Sequence, residues 1–153
     1  MSVSGAIAEI VAERWIKRTL ASYPVEAHSP LSSEPDPFRN PAGHVIKESL
    51  TTLAHELMGS MDQAATATAL DSLVRLRAVQ DFRPSEALLF IFDLRGVAAE
   101  VIGSLPQALE SRIDRLALMA FDQYMACRDQ IAGLREKELR FRMQCAAQRG
   151  DQP

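Results

Sequence analysis

A chain of 153 residues is long enough for one domain with a sizeable core, since such a chain buries about two-thirds of the surface that it exposes when unfolded. Apolar residues make up 47% and aromatic residues only 6%, which is typical of a helical protein and not of a β-sandwich. The net charge of −3 predicts no general affinity for nucleic acid or for anionic membranes.

The first half of the chain is predicted to form two helices separated by a long loop. Apolar residues recur at helical spacing over residues 5–22. Residues 23–43 contain five prolines, which predicts a loop without a regular element. Such a long loop inside a compact domain is generally either functional or disordered. The second helix follows, with an apolar stripe that starts at Ile46, and is expected to end near Gly59.

Two further helices are predicted in the middle of the chain. Asp62 caps the third, which is expected to run to about Gln80. Pro84 suits the first turn of the fourth, which is expected to run to about Val101. Because the segment Ala87–Phe92 is apolar on every side, this fourth helix is predicted to be the central buried one.

A fifth and last helix is predicted from about Leu109 to about Gln148, because apolar residues advance there by threes and fours. A helix of this length spans about 60 Å, whereas a domain of this size has a radius of gyration of about 15 Å. The helix must therefore extend beyond its own domain. Its first half, around Leu116–Cys127, is predicted to be core, and residues 128–149 are predicted to protrude.

An apolar stripe continues along the protruding part and needs something to cover it. Its members are Ile131, Leu134, Phe141 and Cys145, interrupted by Glu138. The same stripe of a second copy would cover it in a homodimer, and a separate partner protein would do so equally. The alternative is a stripe folded back onto the domain. The overall prediction is a single all-α domain over residues 1–153, with about five helices and a long protruding C-terminal helix.

Charged and polar residues are concentrated where the third helix meets the fourth. They are Arg75, Arg77, Gln80, Asp81, Arg83 and Ser85. A helix start offers free N–H groups, so a small anion or an acidic partner surface could bind there. The alternative is structural: Arg77 lies near an apolar face and would form a buried ion pair with Asp122 or Asp81 that fixes the helix packing.

Asn40 and His44 lie where the proline-rich segment enters the second helix. The favoured interpretation is structural, with the Asn40 side chain bonding loop backbone and Gly43 permitting a tight turn. The alternative is a ligand or switch role for His44, since a histidine titrates near physiological pH.

Catalysis, metal binding and haem binding receive little support from the sequence. Metal-binding spacings, phosphate loops and nucleophile elbows are absent. A haem ligand should lie on the inner face of a helix, but His55 is expected to point away from the apolar stripe of its helix. Tyr124 and Cys127 could bind a ligand or sense redox state, although a buried cysteine is usually a small hydrophobic residue. No cofactor is predicted.

The expected location is the cytoplasm, without membrane insertion. Glu9 and Glu13 lie where a signal peptide would be basic and then apolar, and the longest apolar runs are far too short to span a bilayer. Cys127 and Cys145 would lie about 27 Å apart on one helix, so no disulfide can join them and reduced thiols are expected. Alternating charge signs beyond Arg128 indicate a solvated helical face and not a nucleic-acid interface.

Three stretches together resemble a known family. They are Pro37-Phe38-Arg39-Asn40-Pro41-Ala42-Gly43-His44, then Arg75-Leu76-Arg77-Ala78-Val79-Gln80-Asp81-Phe82-Arg83-Pro84-Ser85-Glu86-Ala87, and finally Ser111-Arg112-Ile113-Asp114 with Ala120-Phe121-Asp122-Gln123-Tyr124-Met125-Ala126-Cys127-Arg128. They are similar to the RsbRD-type N-terminal domain, which belongs to co-antagonists of the kinase RsbT in stressosome signalling. The similarity covers nearly the whole chain.

This resemblance implies a non-catalytic, all-α sensory domain, distantly related to the haem-free, globin-like sensor domains of RsbR proteins, which dimerise and transmit through a C-terminal helix. Family members are commonly followed by a STAS domain, and this chain is expected to lack one. The expectation is therefore a stand-alone domain whose last helix contacts a separate protein. Stand-alone copies also accompany membrane redox complexes in sulfate-reducing bacteria, so that partner is expected to be a signalling or redox-complex protein.

The functional prediction is a cytoplasmic, dimeric sensor or adaptor domain that acts by binding, and is not an enzyme. The alternative is a redox sensor that binds a small ligand or haem. A third possibility is a purely structural dimerisation module.

Overall fold

The computed structural model describes residues 3–80 and 82–150. These residues contain six α-helices, joined by short connections. Their bounds are α1 Val3–Ala21, α2 Val25–Ser33, α3 Pro41–Met58, α4 Gln63–Val79, α5 Pro84–Ile102 and α6 Gln107–Gly150. No strand occurs among the described residues, which confirms the all-α prediction. The described residues form six helices where about five were predicted, and a globin-like arrangement of the helices stays a prediction.

The additional helix is α2, which lies inside the segment predicted to be a loop. Pro24 immediately precedes its first turn, where a missing N–H is harmless, and the carbonyl of Pro24 accepts from the backbone of Ala27 and His28. Pro30 removes one further donor, but the helix ends only three residues later. The prediction of a loop over 23–43 is therefore wrong for the nine residues of α2 and for residues 41–43, which form the first turn of α3.

Local signals at the helix ends match the predicted boundaries. Asn40 caps α3 and Asp62 caps α4, each through a side-chain oxygen that accepts a backbone N–H three residues later. Gly103 ends α5 with a φ of 93°, a conformation that a glycine adopts without strain. These caps explain why the bounds of α3, α4 and α5 could be predicted closely from the sequence.

Five of the helices surround a common core. Helix α1 packs against α3 and α5, and α3 packs against α4. Helix α6 packs against both α4 and α5, so the five helices form a closed ring. The largest fully buried side chains include Trp15 from α1, Phe90 from α5 and Tyr124 from α6. The short helix α2 is not part of this ring and packs against α1 and α3.

Helix α5 is not the all-round buried helix that its apolar sequence predicts. Its side chains Ala87, Phe90 and Ile91 are buried, but Leu89 and Phe92 are about half exposed. The reason is the packing geometry, because neighbouring helices cover α5 on one side only.

Helix α6 extends beyond the body of the domain, as predicted. Its 44 residues span about 66 Å. From Leu109 to Cys127 it contributes six buried side chains to the core, whereas residues 134–149 are exposed except for Cys145. Within the monomer, the buried side chains of α6 therefore end at Cys127, and the division into a core half and a protruding half stays a prediction.

Candidate functional site

The junction between α4 and α5 is organised around the buried side chain of Arg77, which is only 1% exposed. Its guanidinium carbon lies 5.1 Å from the ring centre of Tyr23, 4.9 Å from that of Phe82 and 5.4 Å from that of Phe90. Such distances are typical of cation–π contacts. We call these three rings and the guanidinium the arginine cage.

The buried guanidinium of Arg77 forms few hydrogen bonds. Its Nη1 atom donates to the backbone carbonyl of Glu86 over 3.2 Å, whereas Nε and Nη2 have no hydrogen-bond partner among the described residues. Burial lowers the pKa of Arg77 from its ordinary value, because desolvation penalises the charged form. The predicted ion pair with Asp122 is not formed, since Asp122 is exposed on α6. Asp81, the other predicted partner, lies outside the described residues.

Tyr23 closes the cage from the end of α1. Its hydroxyl donates to Oε1 of Gln80 over 2.9 Å, and its ring meets the Phe82 ring edge to face at 5.4 Å. Burial raises the pKa of Tyr23, and the nearby positive charge of Arg77 and the bond to Gln80 act in the opposite direction. Sequence reasoning missed Tyr23 because it lies more than fifty positions from Arg77. The signal available was an aromatic residue beside Pro24, at the end of an amphipathic helix.

The other members of the predicted polar cluster do not converge on one site. Arg75 is exposed and pairs with Asp71 over 2.7 Å, with a longer contact to Gln130 of α6. Two residues along a helix are about 200° apart, so Arg75 and Arg77 point in different directions. Arg83 and Ser85 are exposed at the start of α5. A single anion therefore cannot contact all of these residues in this arrangement.

A surface cleft of about 420 Å³ lies beside the arginine cage. Tyr23, Pro24, Phe82 and Glu86 are among its lining residues. The Glu86 carboxylate accepts from the backbone N–H of Arg83 and so closes the first turn of α5. Its negative charge at the cleft makes the cleft a poor site for an anion.

Asn40 has the structural role that the sequence favours. Its Oδ1 accepts from the Gly43 N–H over 2.9 Å, and its Nδ2 lies within 3.2 Å of the carbonyl oxygens of Pro30, Leu31 and Glu34. The side chain thus joins the end of α2 to the start of α3. A Cβ atom at position 43 would overlap the Asn40 side chain and lie 2.6 Å from the Leu31 carbonyl, so this close approach requires glycine.

Replacing Asn40 with alanine is expected to destabilise the domain by about 2 kcal/mol, because a helix cap and the donors to α2 are lost together. Urea unfolding followed by circular dichroism measures the change. His44→Ala is the matched control, since His44 is exposed and pairs with Glu48 on the same helix. Equal stability losses in the two variants would contradict the structural role of Asn40.

Tyr124 and Cys127 anchor the core half of α6. The Tyr124 hydroxyl donates to the Phe82 carbonyl over 2.9 Å, and both side chains are buried. Among the described residues, no group of three or more His, Cys, Asp or Glu side chains could hold a metal ion. His55, which was weighed as a haem ligand, has its Nε2 atom 2.8 Å from a carboxylate oxygen of Glu9.

The candidate interface residues follow one side of the protruding half of α6. We call Ile131, Leu134, Phe141 and Cys145 the core-side edge, because they continue the face that Tyr124 and Cys127 present to the core. Ile131 packs partly against the core, whereas Leu134 and Phe141 are largely exposed. Around them, Glu136 pairs with Arg140 and Glu138 with Arg142 one turn later, an arrangement that supports an isolated helix.

None of the described helices combines the length and the hydropathy that crossing a bilayer requires.

Comparison with known proteins places the chain in a family. Residues 9–139 match the family described as the RsbT co-antagonist protein rsbRD N-terminal domain. An uncharacterized protein from Archaeoglobus fulgidus is 26% identical over 132 residues, which is 84% of this chain and 82% of that protein. No solved structure is significantly similar to the chain. Because the match covers most of the chain, this protein belongs to the RsbRD N-terminal domain family of stressosome-type signalling domains.

Proposed function

We propose that this chain is a non-catalytic sensor or adaptor domain of the cytoplasm, which dimerises and binds a separate signalling or redox-complex protein through its last helix. One observation carries the proposal: the protruding half of α6 keeps large apolar side chains that its own domain does not cover. Leu134, Leu139, Phe141 and Met143 are each at least 60% exposed there. Exposed apolar residues in such a number mark an interaction surface.

The body of the domain supports this mode of action by holding α6 rigidly. Tyr124 and Gln123 bond to the backbone of the segment before α5 and of α4, respectively. A helix fixed at one end by a core transmits a shift of that core to its free end. The family of signalling domains to which the chain belongs is consistent with such a role.

The test is capture of partners from a cell extract by the full chain and by a chain that stops after Gly133. The stop keeps Ile131 and the core half of α6, so the truncated domain is expected to retain its helical circular dichroism and its Tm within about 5 °C. We expect it to lose both self-association and every specific partner. Retention of the same partners by the truncated domain would contradict output through α6. A full-length Lys137→Gln variant, altered at one exposed charge, is the control.

A further inference from the structure

A second apolar line follows α6, on a different side from the core-side edge. Leu118, Met125, Ala132, Leu139 and Ala146 recur at intervals of seven residues, and all five are exposed. Phe121 and Met143, also exposed, lie directly beside this line. We call these seven residues the heptad edge. At 100° per residue, it lies about 140° around the helix from the core-side edge.

The heptad edge is accessible over both halves of α6, whereas the core-side edge is not. Towards the N-terminus, the core-side edge continues into Tyr124 and Cys127, which are buried by the domain itself. A neighbouring helix can therefore follow the core-side edge for only about 21 Å, from Ile131 to Cys145. Along the heptad edge it can follow α6 for about 42 Å, from Leu118 to Ala146.

The body of the domain adds apolar surface beside the start of the heptad edge. The Arg95–Asp114 ion pair and the bond from Tyr124 to the Phe82 carbonyl show that α5 and α6 run antiparallel. Phe92 lies one turn before Arg95 on α5, and Leu118 lies one turn after Asp114 on α6. Phe92 and Leu118 are therefore at the same level, on the side of the domain where the ion pair forms, and they are 56% and 70% exposed.

Two rows of opposite charge flank the heptad edge. Arg128, Arg135 and Arg142 each lie three positions after a residue of the heptad line, and Asp122, Asp129 and Glu136 each lie four positions after one. The first row is therefore about 60° to one side of the line, and the second about 40° to the other. One flank of the heptad edge is basic and the other is acidic.

The opposite charges of the two flanks favour a second copy of this chain as the partner, and they favour a parallel orientation of the two helices. In a parallel pair of identical helices related by a two-fold axis, opposite flanks meet, so the basic row of one helix faces the acidic row of the other. In an antiparallel pair, like flanks meet and like charges oppose each other. A repeat of seven residues also keeps two parallel helices in contact as they wind around each other.

We propose that a second copy of this chain packs in parallel on the heptad edge, and that the core-side edge is left for the separate partner protein. This inference rests on the proposed dimerisation through α6 and names its surface. It moves the dimer contact away from Ile131, Leu134, Phe141 and Cys145.

The test is the dissociation constant of the dimer, measured by sedimentation velocity over a range of concentrations. Leu139→Glu is expected to raise the constant at least tenfold, because a carboxylate would be buried in the seam. Phe141→Glu is the matched control: it lies two residues away, is 65% exposed against 60% for Leu139, and is expected to change the constant less than about threefold. Both side chains are exposed in the monomer, so circular dichroism should show unchanged helix content.

The reverse pattern, in which Phe141→Glu dissociates the dimer and Leu139→Glu does not, would overturn this inference and leave the proposed function intact. A wild-type chain that stays monomeric at all concentrations would overturn both this inference and the dimer in the proposed function. Capture of partners by the full chain, but not by the chain ending at Gly133, would then still support output through α6.

A charge exchange tests the parallel orientation. Arg135→Glu places an acidic residue opposite the acidic row of the second copy and is expected to weaken the dimer about three- to tenfold at low salt. The double variant Arg135→Glu/Glu136→Arg exchanges the two rows at this level and should restore the dissociation constant to within about threefold. A tighter dimer for Arg135→Glu would show that basic rows face each other, and would overturn the parallel arrangement.

Discussion

Replacing Trp15 with alanine is expected to destabilise the domain by about 3–5 kcal/mol, one of the largest losses available to a single substitution in this chain. Trp15 is completely buried and lies between α1 and α5. Its ring stacks on Phe90 with 6.0 Å between the ring centres, and its indole N–H donates to the Phe90 carbonyl over 2.6 Å. Alanine would leave a large cavity and remove this donor at the same time.

Urea unfolding of the Trp15→Ala variant, compared with Ile10→Ala, measures the effect. Ile10 is on the same helix but is 45% exposed, so its replacement should cost less than about 1 kcal/mol. Trp15→Phe keeps an aromatic ring without the donor, and its loss should be intermediate. Similar losses for Trp15→Ala and Ile10→Ala would mean that α1 does not contribute to the core as the contacts indicate.

Two replacements of Arg77 are expected to differ strongly. Arg77→Ala should destabilise the domain by about 2–4 kcal/mol, because it removes a large buried side chain from among three aromatic rings. Arg77→Met fills much of the same volume and avoids the burial of a positive charge. Its free energy of unfolding should therefore lie within about 1 kcal/mol of the wild-type value or exceed it. The lowered pKa of Arg77, which burial causes, points in the same direction.

Equilibrium unfolding of the two variants distinguishes volume from charge as the source of stability at the α4–α5 junction. Arg75→Met is a suitable control, because Arg75 is exposed and pairs with Asp71 at the surface. If Arg77→Met loses as much stability as Arg77→Ala, the guanidinium contacts to the Glu86 carbonyl and to the rings outweigh the cost of burying the charge.

The helix boundaries were predictable because residues near each end determine them. Asp62 and Gln80 flank α4 as predicted, and Pro84 begins α5. The last helix was expected over Leu109–Gln148 and extends over Gln107–Gly150. Caps, prolines and a 3.6-residue repeat act within a turn or two of the residues that carry them, so the sequence shows them directly.

The prolines of segment 23–43 predict a loop, but they do not exclude the short helix α2. A proline disfavours the helical conformation of the residue before it, and it has no backbone N–H to donate. A short helix nevertheless loses few hydrogen bonds when one proline precedes it and another lies in its second turn. The stabilisation comes from elsewhere in the fold. Leu31 is buried, and Asn40 bonds to the carbonyls at the end of α2.

The candidate site was predicted only in part for a related reason. Arg77, Tyr124 and Cys127 were recognised as positions near the core, and all three are buried. The sequence did not show that Arg77 would lie among Tyr23, Phe82 and Phe90, since these residues come from three separate parts of the chain. It also grouped Arg75 with Arg77, although the two side chains leave α4 on different sides.

The sequence by itself determined that this protein is an all-α domain with a last helix too long for its own body. Composition, caps and periodicity are local properties, and the length of a helix follows from them. Only the tertiary structure decided which sides of the helices are covered: α5 is open at Leu89 and Phe92, and α6 is exposed from Leu118 to Ala146 along one line. The burial of a side chain depends on which helices pack beside it. The apolar periodicity of one helix does not contain the positions of the neighbouring helices.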